Sequence, residues 1–230
     1  MNKNKTIKTA FIKTIPVMAG YIVLGAGFGI LMRNAGFGVL ISFLMSVFIF
    51  AGSMQYVGVS LLATSASVLT TAITTFMVNA RHIFYSVSMI EKYKNTMPYK
   101  PYLIFGLTDE TYSLLCDIKV EDDIDKNKFY FFVTLFNQIY WIIGCTLGNA
   151  VSNLLPFDTA GIEFSMTAIF IASFTEQWIT HKNHLPAIIG VLSTIICLFI
   201  FEKNNFLIPS MLLITIILTF LKNNMEVKNA

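Results

Sequence analysis

The chain has 230 residues, of which 55% are hydrophobic and 13% are charged, with a net charge of +3 and a mean hydropathy of +0.68. A soluble domain carries about 25% charged residues, so the composition excludes an ordinary soluble enzyme, and no basic stripe with interleaved aromatic residues indicates nucleic-acid binding. Repeated apolar runs of about 20 residues predict an all-α, polytopic bundle of transmembrane helices.

The N-terminus combines basic residues with a long apolar run. Four lysines, Lys3, Lys5, Lys8 and Lys13, precede the run, and they predict a cytoplasmic N-terminus because cytoplasmic segments are enriched in basic residues. The run lacks a small-residue cleavage site, so we expect a retained first helix rather than a signal peptide. Gly25 and Gly29 form a small-x-x-x-small pattern within it, which favours close helix packing.

Apolar segments follow one another along the chain as a single transmembrane domain over residues 1–230. We expect spans at 14–32, 37–62, 68–90, 129–152, 162–180, 185–201 and 206–221. Residues 102–116 are short for a full crossing and indicate a re-entrant or broken segment. Counting them as a crossing gives eight spans but places Lys92, Lys94 and Lys100 outside, against the positive-inside tendency. The sequence therefore leaves seven or eight spans open.

A weak internal repeat connects the two halves of the chain. The Gly25-x-x-x-Gly29 pattern recurs as Gly144-x-x-x-Gly148, and the Ser53/Gln55 pair recurs as Thr175/Gln177. We interpret residues 11–116 and 129–221 as repeats around a polar loop at 117–128, and predict that they are inverted. Matching interrupted helices in two halves indicate the midplane site of a secondary transporter.

Four ionisable side chains lie within or against apolar sequence. They are Arg81 and His82 in one segment and the neighbouring Asp109 and Glu110 in the next. Because charge at membrane depth is costly and usually faces a partner or a cavity, we predict that Arg81 pairs with Asp109 or Glu110. We expect the four residues to act as a coupling or gating network, with His82 able to titrate near neutral pH.

Uncharged polar residues mark the expected substrate site. Gly52 and Ser53, followed by Gln55, predict a break in the second span. Freed N–H groups at a helix N-terminus attract a carboxylate, and amide or hydroxyl side chains hydrogen-bond the charged ends of an amino acid. The predicted substrate-binding residues are Ser53, Gln55, Asn79, Thr175 and Gln177.

Other chemistries lack a complete set of residues. Glu176, His181 and His184 suggest a polar loop at a membrane edge rather than a metal site. The three cysteines are far apart in apolar sequence, without zinc or disulfide spacing. No protease motif occurs. We therefore expect no enzyme activity, no metal and no cofactor.

Three motifs together resemble the AzlC family of branched-chain amino acid permeases. They are Ala51-Gly-Ser53-x-Gln55, Asn79-x-Arg81-His82 and Thr108-Asp109-Glu110, and residues 164–170 add to the resemblance. The resemblance implies export of branched-chain amino acids across the bacterial inner membrane, a small AzlD-like membrane partner and coupling to the proton gradient. A non-transporting membrane subunit that docks a partner is the alternative.

Overall fold

The computed structural model describes residues 3–118, 120, 123–152, 171, 174–175, 178–179 and 183–226. These residues are helical wherever they are regular, which confirms the predicted all-α class, and they include no strand. The helices with described bounds are α1 (Lys3–Asn34), α2 (Val39–Phe48), α3 (Gly52–Ala63), α4 (Val68–Asn79), α5 (Arg81–Tyr93), α6 (Lys100–Phe105), α7 (Asp109–Asp117), α8 (Lys126–Val151), α9 (Leu185–Asn205) and α10 (Leu207–Glu226).

The helices form two compact units. The first contains Met1–Thr75 and His82–Met166, and the second contains Phe76–Arg81 and Thr167–Ala230. In the second unit, α9 and α10 pack against each other and confirm the helices predicted at 185–201 and 206–221. The predicted span at 162–180 lies largely outside the described residues.

Two helices of the first unit are long and apolar enough to cross a membrane. Asn4–Asn34 within α1 has a mean hydropathy of 2.0 in its most apolar window, and Lys126–Val151, the whole of α8, has 1.4. A helix of about 20 residues spans the hydrocarbon core of a bilayer. These two helices form the framework on which the shorter helices of the unit are arranged.

Glycines bring the backbones of α1 and α8 into direct contact. A Cβ added to Gly25 would lie 2.9 Å from the backbone nitrogen of Cys145, and one added to Gly29 or Gly148 would overlap the backbone of the opposite helix. The prediction that the glycines of α1 allow close helix packing is therefore confirmed. The two similar glycine patterns, Gly25-x-x-x-Gly29 in α1 and Gly144-x-x-x-Gly148 in α8, form the two sides of one interface.

The contacts between α1 and α8 also establish their relative direction. Phe11 packs edge-on against Phe136, and further along both helices Gly25 meets Gly144 and Gly29 meets Gly148. Because the residue numbers rise together, the helices run parallel. Corresponding helices of an inverted repeat run in opposite directions, so the predicted inverted relation is wrong for this pair.

Helices α2 and α3 form a first hairpin (residues 39–63) that enters from the C-terminal end of α8. Near the start of the hairpin the Asn149 amide donates to Phe37 O, and further along the Gln138 amide donates to Val47 O at the middle of α8. After a break at residues 49–51 the chain returns along α2, where Gly58 faces the Met45 side chain. The predicted break is confirmed, but the segment does not cross.

Helices α6 and α7 form a second hairpin (residues 100–117) that enters from the N-terminal end of α8. Tyr99 packs on Phe131, and the hairpin tip reaches the middle of α8, where a Cβ on Gly106 would overlap the Thr134 side chain. α7 then returns, and near its end Lys92 donates to the Leu115 carbonyl at 2.6 Å. For residues 102–116 the sequence left open a re-entrant segment or a full crossing. The structure has the re-entrant form, so counting these residues as a crossing was wrong.

The tips of the two hairpins meet in the middle of the first unit. The rings of Phe50 and Phe105 lie 6.3 Å apart, and a Cβ on Gly106 would lie 3.7 Å from the Phe50 ring. Up to Ser152 the chain therefore changes ends three times, through α1, through residues 64–93 and through α8. The second of these passes is interrupted at Ala80, between α4 and α5, within the span predicted at 68–90.

Charged residues gather at the N-terminal end of α8. Lys5 donates to Asp123 at 2.5 Å, and Asp125 caps α8 by accepting from the Lys128 N–H. The hydrogen bond from Lys5 lowers the pKa of the Asp123 carboxyl. Asn127 donates to the Asn95 carbonyl at 2.8 Å. The start of α1, the 94–99 turn and residues 123–125 thus lie at the same end of the unit.

We expect Gly148→Ala to destabilise the protein by about 1–3 kcal/mol, because the added methyl meets the backbone of Ala26 and the helices have to separate. Thermal unfolding of the purified protein in detergent, followed by circular dichroism, measures the loss. The control is Gly20→Ala in α1, where a Cβ meets nothing within 4 Å, so that the substitution stabilises the helix by about 0.5–1 kcal/mol. Equal melting of the two variants contradicts the close interface.

The hairpins also predict which loops share a membrane face. In a background without native cysteines, Asn4→Cys and Asn95→Cys should react with an impermeant maleimide from one side of sealed vesicles. Thr64→Cys should react from the other side, because the first hairpin returns to the C-terminal end of α8. If both hairpins were crossings, Thr64 would label with Asn4 and Asn95 would label from the opposite side.

Candidate functional site

The break between α2 and α3 presents a helix N-terminus in the middle of the first unit. Phe50 has a positive φ of 38°, a strained conformation for a bulky residue that persists only where the surroundings enforce it. Ala51 supplies no capping side chain to α3. The N–H groups of the first turn and the positive end of the helix dipole therefore face the unit's centre.

Gln55 lies one turn into α3 and is fully buried. The Trp141 indole nitrogen of α8 donates to Gln55 Oε1 at 2.7 Å. Because an indole N–H only donates, the amide oxygen has to face it, which leaves Nε2 as a free donor. Nε2 has no partner among the described residues, and leaving such a buried donor unpaired costs about 1–3 kcal/mol.

A second group of polar residues surrounds the N-terminus of α7. Thr108 caps this helix by accepting from the Thr111 N–H, and Asp109 and Glu110 are the first two helical residues. Tyr21 of α1 donates to Glu110 Oε2 at 2.7 Å and lies 2.6 Å from Thr108 Oγ1. The carboxylates sit where the positive end of the helix dipole stabilises negative charge.

The protons in this group are limited in number. Oxygen contacts join Glu110 to Tyr21 and Tyr21 to Thr108, and Thr108 Oγ1 lies 3.0 Å from Thr111 Oγ1. Tyr21 and Thr108 supply one hydroxyl proton each. Because Tyr21 donates to Glu110 and Thr108 donates to Thr111, the contact between Tyr21 and Thr108 needs a third proton, which a protonated Glu110 supplies by donating to Tyr21. The direction of the hydrogen bonds that Tyr21 makes therefore depends on the ionisation of Glu110.

Asn137 of α8 continues the chain of hydrogen bonds. Its Nδ2 donates to Thr111 Oγ1 at 2.9 Å, and its side chain is fully buried. Its Oδ1 has no partner among the described residues. Together with the free Nε2 of Gln55, it gives the centre of the unit one unpaired donor and one unpaired acceptor.

Aromatic rings enclose these polar groups. Trp141 and Tyr21 meet edge to face with centroids 5.4 Å apart, and Tyr21 meets Phe50 in the same way at 6.5 Å. A Cβ on Gly52 would lie 3.3 Å from the Trp141 ring. Rings at the start of α3 provide apolar surface beside hydrogen-bonding groups, the combination that ligand sites use.

The structure brings several predicted residues together. Ser53 is the second residue of α3, Gln55 follows on the same helix, and Glu110 reaches the centre through Tyr21. His82 packs edge-on against Tyr85. Tyr85 in turn stacks on Tyr112 of α7 at 4.5 Å, which links His82 to the helix that carries Asp109 and Glu110.

Other predicted residues lie elsewhere. Asn79 ends α4 and Arg81 begins α5, and both belong to the second unit, so the pairing of Arg81 with an acid stays a prediction. The Thr175 hydroxyl donates to the Ile171 carbonyl within its own helical turn, and its substrate role also stays a prediction. Gln177 lies outside the described residues.

Three residues of the centre were missed by sequence reasoning: Tyr21, Asn137 and Trp141. Asn137 carried a usable signal, because it is an amide within the apolar run of α8, as Gln55 is within the second apolar segment. Tyr21 and Trp141 carried none, since aromatic residues are common throughout this chain. Only their contacts with Glu110 and Gln55 distinguish them.

Comparisons with known proteins agree on one family. The family model described as AzlC protein matches residues 16–155. The chain is 41% identical to the branched-chain amino acid transport protein AzlC of Bacillus subtilis, covering 98% of this chain and 91% of the relative. It is 37% identical to a membrane protein of Helicobacter pylori over 96% and 97% of the two chains.

A more distant relative is the inner membrane protein YgaZ of Escherichia coli, 27% identical over 78% of this chain and 77% of the relative. No solved structure matches the chain. The family match covers α1 from residue 16 onward, both hairpins and α8, the elements that build the centre of the first unit. With its apolar helices and its membrane-protein relatives, the chain belongs to the AzlC family of membrane transport proteins.

Proposed function

We propose that the protein is a secondary transporter that exports branched-chain or similar hydrophobic amino acids across the bacterial cytoplasmic membrane. It works by alternating access, with a small AzlD-like membrane subunit and with proton coupling. The observation that carries the proposal is Gln55, a fully buried amide with an unpaired donor at the start of a broken helix. The name of the Bacillus subtilis relative supports the class of substrate.

The chemistry around α3 suits the carboxylate of an amino acid. The uncapped N-terminus of α3, with Ser53 in its first turn, and the free Nε2 of Gln55 all supply donors or positive dipole. The rings of Tyr21, Phe50 and Trp141 flank this region and offer contact to an aliphatic side chain. Asn79, Thr175 and Gln177 are proposed to complete the site in other conformations of the cycle.

Glu110 is the residue that we propose to carry the coupling proton. Its contact with Tyr21 connects it to the hydroxyl chain through Thr108, so protonation reverses hydrogen bonds that reach the centre. Among the described residues, the charged and titratable neighbours of α7 include Asp109 on the same helix, His82 through the tyrosine stack of α5, and Lys92 at the far end. In this scheme Arg81 pairs with Asp109 or Glu110 in at least one state and acts as a gate.

The distribution of lysines supports a cytoplasmic N-terminus. With the second hairpin returning to its starting end, basic residues of three segments lie at the N-terminal end of α8. This end carries Lys3, Lys5, Lys8, Lys92, Lys94, Lys100, Lys126 and Lys128. Clustering of Lys on one side marks the cytoplasmic face, and the conflict that an eight-span count produced disappears.

Proteoliposomes that contain the chain, with and without a co-purified small partner subunit, test the proposal. We expect efflux of labelled leucine or valine that requires the chain and stops when an ionophore collapses the pH gradient. Empty liposomes and liposomes with only the small subunit are the controls. A chain that binds its partner but never moves an amino acid would support the docking-subunit alternative.

Tyr21→Phe removes the hydroxyl that joins Glu110 to Thr108 while keeping the ring in place. We expect proton-driven leucine efflux to fall by about 10- to 100-fold, the size of effect typical of a lost proton-transfer group. Leucine counterflow, which needs no net proton movement, should change little, and Glu110→Gln should behave in the same way. Rates are measured with labelled leucine at several external pH values.

The matched control is Tyr140→Phe. Tyr140 is also buried, but its hydroxyl contacts Thr14 at 3.2 Å, outside the network. The Tyr140→Phe variant should keep both proton-driven leucine efflux and leucine counterflow. Efflux in Tyr21→Phe that stays as fast and as pH-dependent as in the wild type would rule out the relay.

A further inference from the structure

The amide of Asn137 gives the centre of the first unit an acceptor to match the donor of Gln55. We propose that Asn137 Oδ1 binds the ammonium group of the transported amino acid, a role that rests on the proposed transport function. Its side chain is fully buried, and Oδ1 has no partner among the described residues. A buried acceptor of this kind is costly unless something occupies it.

Helix α8 connects Asn137 with the residue that holds Gln55. Trp141, which donates to Gln55 at 2.7 Å, lies four residues after Asn137 and therefore on the same helix face, about 6 Å further along the axis. Asn137 and the residue that holds Gln55 therefore project from one face of α8, one helical turn apart. An α-amino acid carries its carboxylate and its ammonium on the same carbon, so it needs a donor and an acceptor presented from neighbouring positions of this kind.

The hydroxyl chain decides which atom of the Asn137 amide is unpaired. Tyr21 donates to Glu110 Oε2 at 2.7 Å, and the Thr108 hydroxyl donates to Thr111 Oγ1 at 3.0 Å. Thr111 Oγ1 is then an acceptor for the Asn137 N–H, at 2.9 Å. The unpaired atom of the Asn137 amide is therefore Oδ1. An amide oxygen accepts a hydrogen bond from an ammonium group, whereas an amide nitrogen does not.

A second buried asparagine of α8, Asn149, also has an Oδ1 without a partner among the described residues, so its position and not its pairing distinguishes it from Asn137. Asn149 Nδ2 donates to the Phe37 carbonyl at 3.1 Å and to Ser42 Oγ at 2.7 Å, so it anchors the start of the first hairpin. It lies about 18 Å from Asn137 along the helix and beyond the break of that hairpin. Asn149 therefore provides a control with the same side chain and comparable burial, remote from Gln55.

The inference predicts how the two ends of the substrate contribute. Leucine uses both Gln55 and Asn137, whereas 4-methylpentanoate keeps only the carboxylate and 3-methylbutylamine keeps only the ammonium. Each of these compounds should inhibit leucine counterflow more weakly than unlabelled leucine does. Removal of the acceptor should weaken only the compounds that carry an ammonium group.

Leucine counterflow in proteoliposomes, with the small subunit present, tests this prediction. Asn137→Leu should raise the leucine concentration for half-maximal counterflow by at least about tenfold, since a hydrogen bond to a charged group is lost. The inhibitory concentration of 4-methylpentanoate should stay within about twofold of the wild-type value. Asn137→Asp, which keeps an acceptor, should retain leucine counterflow, and Gln55→Leu should weaken 4-methylpentanoate but not 3-methylbutylamine.

Three results would count against the assignment, and they are distinguishable. If Asn137→Leu weakens leucine and 4-methylpentanoate equally, or weakens neither, Asn137 does not recognise the ammonium group. If Asn149→Leu reproduces the selective loss, the effect is structural. If the wild-type chain shows no leucine counterflow although it is folded by thermal melting, the proposed transport function itself fails.

Discussion

The direct backbone contact between α1 and α8 is the interaction on which the rest of the first unit depends. Lipid tails are as apolar as leucine, so helices in a bilayer gain little from burying apolar surface and associate through close packing. Gly25, Gly29, Gly144 and Gly148 allow that packing because a methyl group at any of them would meet the opposite backbone. The contact holds Tyr21 of α1 beside Trp141 of α8, and thereby brings the acidic end of α7 and the amide of Gln55 to the same framework.

Two hairpins use this framework to place helix ends at the centre. At each tip a helix begins, and the N–H groups of its first turn have no partner within the helix. The two helix N-termini differ in the residues that cap them. Thr108 caps α7, and Asp109 and Glu110 lie in its first turn, so that N-terminus already has its negative charge. α3 has no capping side chain. In the proposed transport function, this difference separates the residue that accepts the coupling proton from the helix end that binds the substrate carboxylate.

Local sequence was sufficient wherever the signal depended on neighbouring residues. The break before Gln55 follows from a glycine and polar residues between two apolar halves, and the cap at Thr108 follows from a hydroxyl before two acids. Sequence was insufficient for the path of the chain. The largely apolar segment at 37–62 is long enough to cross. Only the hydrogen bonds of Asn149 and Gln138 to its first half, together with the approach of Gly58 to Met45, show that it turns back.

The sequence by itself determined the membrane helix class, the family and the polar motifs, because these depend on composition and on short-range spacing. Tertiary structure decided which surfaces meet and in which direction. A spacing of four residues defines a face of a helix but carries no information on the identity or the direction of the neighbour, so the two glycine patterns suggested an inverted repeat and proved to be one parallel interface. For the same reason the role proposed for Asn137 depends on the fold, which places Gln55 against Trp141, one helical turn from Asn137.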